Sequence, residues 1–398
     1  MVWWEVGRRP AVRKIPQAGL SESGKRNGAI DVIRGWAVLS VVLLHLNIRV
    51  PFDGCWLGRG LPKPLYRLLF WSGYPAVIVF FVISGFLITT MSEARWGELI
   101  RVDVPAFYRI RFARIAPALA LFVLVQSGLQ IAGVEGFSDA RPSASLGATL
   151  FSVVTFHLNW LEAKVGYLPG AWDVLWSLCV EELFYLGFPI LARLARPRFV
   201  FYVVLAAFVI AGPFARVAKG ENEIWQDHSY LSCMGEIAIG CLAAALAKRH
   251  TLSKAFARAL LLSGVGLMLF VLYFRSAVRA LGLYGVGLDV TTLSCGTALV
   301  LIAVCAMPNR RSTTGQRVLA PLRWLGRNSY EVYLSHLFVI IPATLLWKRV
   351  GSSSLVPIFY ALAVSLAAVL GALVARAFSK PCSRWLRARA KGTLPNAS

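Results

Sequence analysis

The stretch AIDVIRGWAVLSVVLLHL, residues 29–46, decides the fold class, because it is long and apolar although it carries an arginine and a histidine. A helix that crosses the hydrocarbon core of a bilayer needs about 20 mostly apolar residues. Comparable runs recur along the chain, and we predict ten spans, at residues 30–50, 71–91, 115–133, 172–194, 199–215, 230–247, 259–274, 289–306, 330–346 and 355–377. The sequence therefore predicts an all-α polytopic integral membrane protein.

Composition supports the same class. Of the 398 residues, 57% are hydrophobic and 15% are charged, whereas a soluble domain carries about 25% charged residues. No polar stretch is long enough to form a soluble domain, so we expect none beside the membrane part. We predict a membrane domain over residues 30–378, flanked by basic cytosolic tails at residues 1–29 and 379–398.

The basic residues form short clusters between the apolar runs, and the formal net charge is +23. This pattern is typical of loops that stay in the cytosol of a bacterial inner-membrane protein, with lipid as the partner and no nucleic acid. All clusters fall on one side only if the shorter run at 146–161 does not cross. We therefore predict a re-entrant or interfacial segment there, and two cytosolic termini.

The seven cysteines show no metal-ligand spacing, so no metal site is predicted.

Ionisable residues within membrane helices are costly and are often functional. Arg34 and His45 are eleven residues apart, about three helical turns, so both project from one face about 16 Å apart along the axis. An anion held by Arg34 would reach towards His45. The structural alternatives are a histidine bonded in the core and an arginine that extends to the membrane surface.

Two further groups of polar residues stand out. Arg111 and Arg114 are three residues apart and share a helix face, a spacing that suits phosphate but also ordinary cytosolic charge. Glu181 and Glu182 lie inside a predicted span, where a carboxylate can orient a histidine, bind a sugar hydroxyl or pair with an arginine such as Arg34. Near them we select Trp176, Ser177, Tyr185 and, in a later span, His336 as candidate acceptor or supporting residues.

In their order and spacing, these motifs resemble the acyltransferase-3 family of membrane-bound bacterial O-acyltransferases. The resemblance covers roughly residues 28 to 378, and Cys179 replaces the usual serine in one motif. The matching elements are Arg34 and His45 in an Arg-x10-His helix, the Ser-Gly-Phe-Leu-Ile element within 80–89, Arg111 and Arg114 in Arg-x-x-Arg, the Trp-Ser-Leu-x-x-Glu-Glu-x-Phe-Tyr motif at 176–185, and Gly-x-x-Ser-Tyr-x-x-Tyr-Leu-x-His at 326–336.

The resemblance implies transfer of an acyl group, with acetyl as the expected one, from cytosolic acyl-CoA to a sugar hydroxyl of a surface glycan or glycolipid. Arg34, Arg111 and Arg114 would then hold the CoA phosphates. His45 would act as the general base, supported by Glu181 or Glu182. The resemblance specifies neither the acceptor sugar nor an oligomeric state.

Two other functions use the same kinds of residue. A transporter or flippase of a lipid-linked sugar would use membrane carboxylates and arginines for its substrate or for proton coupling. A structural subunit of a polysaccharide export complex is the third class. Transfer of labelled acetyl groups to a glycan would separate the enzyme from both.

Overall fold

The computed structural model describes residues 27–138, 144–218, 222–249, 252–307 and 317–392. The predicted N-terminal tail therefore lies almost entirely outside the described residues. The described chain is built of helices joined by short turns and contains no β-sheet. A backbone in hydrocarbon must satisfy its own hydrogen bonds, and the helix does so within one segment.

The first eleven helices run from residue 28 to residue 249. They are α1 (Gly28–Arg49), α2 (Trp56–Arg59), α3 (Lys63–Phe70), α4 (Gly73–Trp96), α5 (Val104–Ile131), α6 (Leu146–Val154), α7 (Leu158–Val165), α8 (Leu175–Leu194), α9 (Phe199–Val217), α10 (Glu223–His228) and α11 (Tyr230–Arg249).

Eight more helices complete the described chain. They are α12 (Lys254–Leu272), α13 (Arg275–Ala280), α14 (Leu288–Ala306), α15 (Ala320–Arg327), α16 (Ser329–Ser335), α17 (Leu337–Val350), α18 (Val356–Val374) and α19 (Lys380–Gly392). A single turn at Trp172–Val174 leads into α8.

The number of spans agrees with the sequence. Nine helical segments of the described chain are long and apolar enough to cross a membrane. The bent pair of α16 and α17 adds a tenth, and its axis turns by 42° around His336. The predicted span at 330–346 is therefore a broken helix, with His336 at the break.

The run at 146–161 does not form a span, as predicted. It folds into α6 and α7, which have nine and eight residues and are separated by a short turn. At about 1.5 Å per residue, neither helix could cross a bilayer.

One predicted boundary is wrong. The span expected at 115–133 begins at Val104, so Arg111 and Arg114 lie within α5 and not in a loop before it. Asp103 caps this helix, because its side chain accepts a hydrogen bond from the amide of Ala106 at 2.9 Å. After the last span, α19 continues from α18 through a short π-helical turn at Ala375–Ser379, so the described part of the predicted C-terminal tail is helical.

The helices alternate between two ends of the bundle. At the end where α1 begins, which we call the Arg34 end, Lys248 of α11 pairs with Glu93 of α4 at 3.2 Å. At the opposite end, the His45 end, the Tyr360 hydroxyl of α18 donates to the carbonyl of Val50, just after α1, at 2.6 Å. These contacts join helices that are far apart in the sequence.

The bundle has inner and outer helices. The inner helices are α1, α4, α8, α11 and α14, in which at least half of the residues of the most apolar stretch are buried. In the outer helices α5, α9, α12 and α18, about a quarter of those residues are buried. Along α18, the buried residues Tyr360, Ala363, Ala367 and Gly371 follow helical spacing, while Leu362, Leu366 and Leu373 are exposed. An apolar side chain that is exposed on an outer membrane helix faces lipid.

The centre of the bundle is tightly packed because small residues let backbones meet. A Cβ atom added to Gly85 of α4 would lie 1.9 Å from the carbonyl oxygen of Ile237 in α11. A Cβ atom added to Gly240 of α11 would lie 2.0 Å from the carbonyl oxygen of Val82. Close approach of this kind is typical of helix pairs in membranes.

Candidate active site

One continuous helix positions Arg34 and His45. The side chain of Asn27 caps α1 by accepting a hydrogen bond from the amide of Ala29 at 2.9 Å. The helix then runs unbroken to Arg49, so the helical rise separates Arg34 and His45 by about 16 Å. Both side chains are half-buried.

Arg34 is fixed by α16. Its Nε and Nη2 atoms donate to the Ser329 hydroxyl at 3.1 and 2.9 Å. The contact depends on the neighbouring α15, which packs closely on α1. A Cβ atom added to Gly326 of α15 would lie 1.8 Å from the carbonyl oxygen of Asp31.

A cavity at the Arg34 end gathers most of the predicted residues. The free space within it and at its open mouth is about 840 Å³. Apolar residues of α4 form one wall. Its polar lining residues are Arg34, Ser84, Arg111, Arg114, Ser177, Glu181, Tyr185, Ser329, Tyr330 and Tyr333. We call it the arginine cavity. The predicted residues His45, Trp176, Glu182 and His336 do not line it.

Arg111 is held against the wall of the arginine cavity by an aromatic ring. Its guanidinium carbon lies 4.4 Å from the ring centroid of Tyr185, within the range of a cation–π contact. Tyr330 of α16 ties the same wall together, because its hydroxyl donates to the carbonyl of Ile115 in α5 at 3.0 Å. The long N-terminal extension of α5 is therefore what brings Arg111 and Arg114 to Arg34.

The two adjacent glutamates have different surroundings. Glu181 lines the arginine cavity, and its Oε2 accepts a hydrogen bond from the Tyr185 hydroxyl at 3.5 Å. The Tyr185 hydroxyl also bonds to the hydroxyl of Ser84. Glu182 points elsewhere, and its buried Oε1 has no hydrogen-bond partner among the described residues. The structure thus separates two carboxylates that the sequence left equivalent.

The ring beside His45 belongs to His336. The two ring centroids are 5.0 Å apart. His336 is fully buried, and its Nδ1 lies 2.6 Å from the carbonyl oxygen of Tyr333. A carbonyl only accepts, so Nδ1 carries the proton, and a neutral ring then leaves Nε2 as an acceptor. In the part of the chain that the structure describes, this Nε2 has no partner.

Tyr333 lies between the arginine cavity and the two histidines. Its ring lines the cavity, and its centroid is 6.0 Å from that of His336. Its hydroxyl donates to the carbonyl of Val174 at 3.0 Å and lies 2.8 Å from the Ser177 hydroxyl, with which it shares a hydrogen bond. These bonds join α16 to the start of α8 at the wall of the cavity.

Trp176 belongs to a different environment. Its ring stacks on that of His228, with centroids 4.0 Å apart and planes within 6° of parallel. It also lies near Tyr74 and Phe81 of α4. Trp176 therefore packs on His228 at the His45 end and does not line the arginine cavity.

The sequence did not assign a role to four residues of the site. Ser84, Ser329, Tyr330 and Tyr333 all line the arginine cavity. Three of them lie within the motif at 326–336, and Tyr333 is one helical turn before His336. The spacing of Tyr333 and His336 could have indicated Tyr333 as a site residue, because residues three apart share a helix face.

Comparison with known proteins identifies relatives of this chain. A putative peptidoglycan O-acetyltransferase of Bacillus subtilis is 27% identical over 342 residues, covering 79% of this chain and 49% of that protein. The O-acetyltransferase OatA of Staphylococcus aureus is 25% identical, covering 78% of this chain and 50% of that protein. The peptidoglycan O-acetyltransferase OatA of Listeria monocytogenes is 24% identical, covering 79% and 50%. The chain thus spans about half the length of these relatives.

No solved structure matches the chain. The family described as "Acyltransferase domain" matches residues 27–377, nearly the whole described chain and nearly the same range as the resemblance seen in the sequence. The ten predicted spans, the arginine cavity and the Arg34–His45 helix all lie within this match. The chain belongs to the acyltransferase-3 family.

Proposed function

We propose that this protein transfers an acetyl group from cytosolic acetyl-CoA to a sugar hydroxyl of a surface glycan. The observation that carries the proposal is that one helix holds an arginine cavity at one end and a histidine pair at the other. A phosphorylated donor could enter from the Arg34 end and an uncharged acceptor from the His45 end. Membership of the family and the O-acetyltransferase activity for which the relatives are named support the reaction class.

The Arg34 end would hold the donor. Arg34, Arg111 and Arg114 all line the cavity, and guanidinium groups bind phosphate through two parallel hydrogen bonds. In this proposal the Arg34 end faces the cytosol of the inner membrane, where acetyl-CoA is found. The basic loops between the spans support that orientation.

The His45 end would carry the chemistry. His45 would remove the proton from the acceptor hydroxyl, whose oxygen then attacks the thioester carbonyl. The C–S bond breaks, and the CoA thiolate takes up a proton as it leaves. His336, with its proton fixed on Nδ1, would support His45 as a neighbour that accepts a hydrogen bond.

The route between the two ends passes Tyr333. The distance of about 16 Å from Arg34 to His45 is of the order of an extended pantetheine arm. In the described structure, Tyr333 and Ser177 line the cavity on this route and share a hydrogen bond. Transfer therefore requires the Tyr333 side chain to move aside when the donor is bound.

The test is direct transfer by the full chain in detergent or proteoliposomes. Acetyl-CoA labelled in its acetyl group is incubated with purified glycans, with peptidoglycan first because the relatives are named for it. We expect a labelled ester on the glycan that mild base removes. Accumulation of label or of glycan inside vesicles, without an ester, would instead identify a carrier.

A further inference from the structure

A second group of ionisable residues lies at the His45 end, outside the site described above. Glu162 is on α7, Asp173 is in the turn before α8, and His228 ends α10. One ligand atom from each of these side chains lies within 4.8 Å of the other two. Three separate elements thus direct oxygen and nitrogen atoms towards one point.

The atoms that point into this cluster lack partners. Glu162 has no exposed surface and His228 is 6% exposed. Glu162 Oε2, Asp173 Oδ1 and His228 Nδ1 are each buried with no hydrogen bond to any described residue. The Glu162 Oε2 to His228 Nδ1 distance is 3.9 Å, too long for a hydrogen bond.

Such an arrangement is costly without a bound cation. Glu162 Oε2 is buried without a described hydrogen-bond partner and lies beside the Asp173 carboxylate. Its other oxygen has only a long contact of 3.5 Å from the amide of Leu168. Buried carboxylates in proteins are usually paired, protonated or bound to a metal.

The ligand geometry is already fixed by packing. The His228 ring stacks on Trp176 at 4.0 Å. The Asn159 side-chain amide donates to the carbonyls of His228 and Trp176 at 2.6 and 3.1 Å. The Asn159 Oδ1 is also buried without a described partner. Contacts of this kind orient ligands around metal ions.

We infer that Glu162, Asp173 and His228 form a binding site for one divalent transition-metal ion of the Zn²⁺ or Mn²⁺ class. Two carboxylates neutralise its charge, and an imidazole nitrogen favours it over Mg²⁺ and Ca²⁺, which prefer oxygen ligands. Bonds of about 2.0–2.2 Å place tetrahedral ligand atoms about 3.3–3.6 Å apart. The three side chains need only small movements to reach that spacing.

The site formed by Glu162, Asp173 and His228 is too enclosed to bind a sugar. Glu162 is completely shielded from solvent, and the donor atoms converge on a space the size of an ion. A bound metal would tie α7 and α10 to the start of α8, beside Trp176. The site would therefore hold the His45 end of the bundle together.

The experiment measures metal binding by the full chain without an affinity tag. Protein in detergent is stripped with a chelator, exposed separately to Zn²⁺ and Mn²⁺, dialysed, and analysed for bound metal and for its melting temperature. We expect about one tightly bound ion per chain and a higher melting temperature, with neither effect from Mg²⁺ or Ca²⁺.

Variants locate the binding site. Glu162→Gln should lower the affinity by at least about 100-fold, because it removes a direct ligand and loss of a supporting contact alone costs about 10–100-fold. Glu223→Gln is the matched control, since Glu223 is exposed on α10 and should bind as the wild type does. Equal binding by Glu162→Gln and the wild type would overturn the assignment.

A measurement on the wild-type protein tests the site even if the Glu162→Gln variant fails to fold. Manganese added below the protein concentration should lose the sharp six-line spectrum of the free ion in electron paramagnetic resonance. Equimolar Zn²⁺ should restore that spectrum, and Ca²⁺ should not. An unchanged free-ion spectrum at protein excess would show that no such site exists.

Discussion

Replacing His45 with alanine is the most direct test of the proposed chemistry. The His45 ring is half-buried and contacts the ring of His336 at 5.0 Å. Among the described residues it makes no side-chain hydrogen bond. The substitution therefore removes packing but breaks no hydrogen bond, and α1 should still form.

The expected loss of rate is large. Removal of a general base typically lowers the rate about 10²–10⁴-fold, which corresponds to about 2.7–5.4 kcal/mol in the activation barrier. Donor binding should change little, because Arg34 lies about 16 Å away along α1. The loss should therefore appear in kcat and not in the dissociation constant of acetyl-CoA.

The assay is the initial rate of acetyl transfer at saturating acetyl-CoA, measured across pH. The wild-type rate should fall at acidic pH as the base becomes protonated, and the residual rate of His45→Ala should lack that fall. His157→Ala is the matched control, because His157 contacts Phe151 and Trp160 and does not line the arginine cavity. A folded His45→Ala protein within about tenfold of the wild-type rate would refute the assignment. Glu181 would then be the next candidate.

Three further predictions concern binding, packing and orientation. Arg111→Ala should raise the dissociation constant of acetyl-CoA about 10–100-fold, with Arg111→Lys recovering part of the loss, because a charged hydrogen bond contributes about 1.5–3 kcal/mol. Gly326→Ala should lower the melting temperature and the transfer rate together, because the new methyl group meets the α1 backbone at 1.8 Å and overpacking costs about 1–3 kcal/mol. A cysteine in place of exposed Glu135 should react with an impermeant thiol reagent in intact cells, and one in place of Arg101 only after permeabilisation, because these residues lie at opposite ends of α5.

Matched controls and contrary outcomes exist for each of these. Arg109 is exposed and does not line the cavity, so Arg109→Ala should bind acetyl-CoA normally. If Arg109→Ala and Arg111→Ala weakened acetyl-CoA binding equally, Arg111 would contribute only general positive charge and no specific contact. Gly187→Ala is the control for Gly326→Ala, because a Cβ atom added at Gly187 meets no atom within 4 Å. Similar melting temperatures for the two variants would show that close packing of α1 on α15 does not stabilise the protein. Labelling of the cysteine at position 101 in intact cells would show that the protein has the opposite orientation in the membrane.

The sequence by itself determined the class of fold and the arrangement of α1. Apolar runs of about 20 residues have few alternatives to membrane helices, because hydrocarbon offers the backbone no other hydrogen-bond partners. Helical periodicity also related Arg34 to His45, since the relation is local to one helix. The distribution of basic residues among the loops excluded 146–161 as a span, and the structure confirms it, because this run forms only two short helices.

The tertiary structure decided which residues meet. Glu181 and Glu182 are adjacent in the sequence, and only packing of α8 against α4 and α5 directs Glu181 alone into the arginine cavity. The pairing of His45 with His336 depends on the bend between α16 and α17. The sequence predicts no metal site because its cysteines show no short metal-ligand spacing. Glu162, Asp173 and His228 span 67 positions and converge only when three elements fold together. Local pattern fixes each helix, whereas contacts between distant helices depend on side-chain packing that no short stretch of sequence contains.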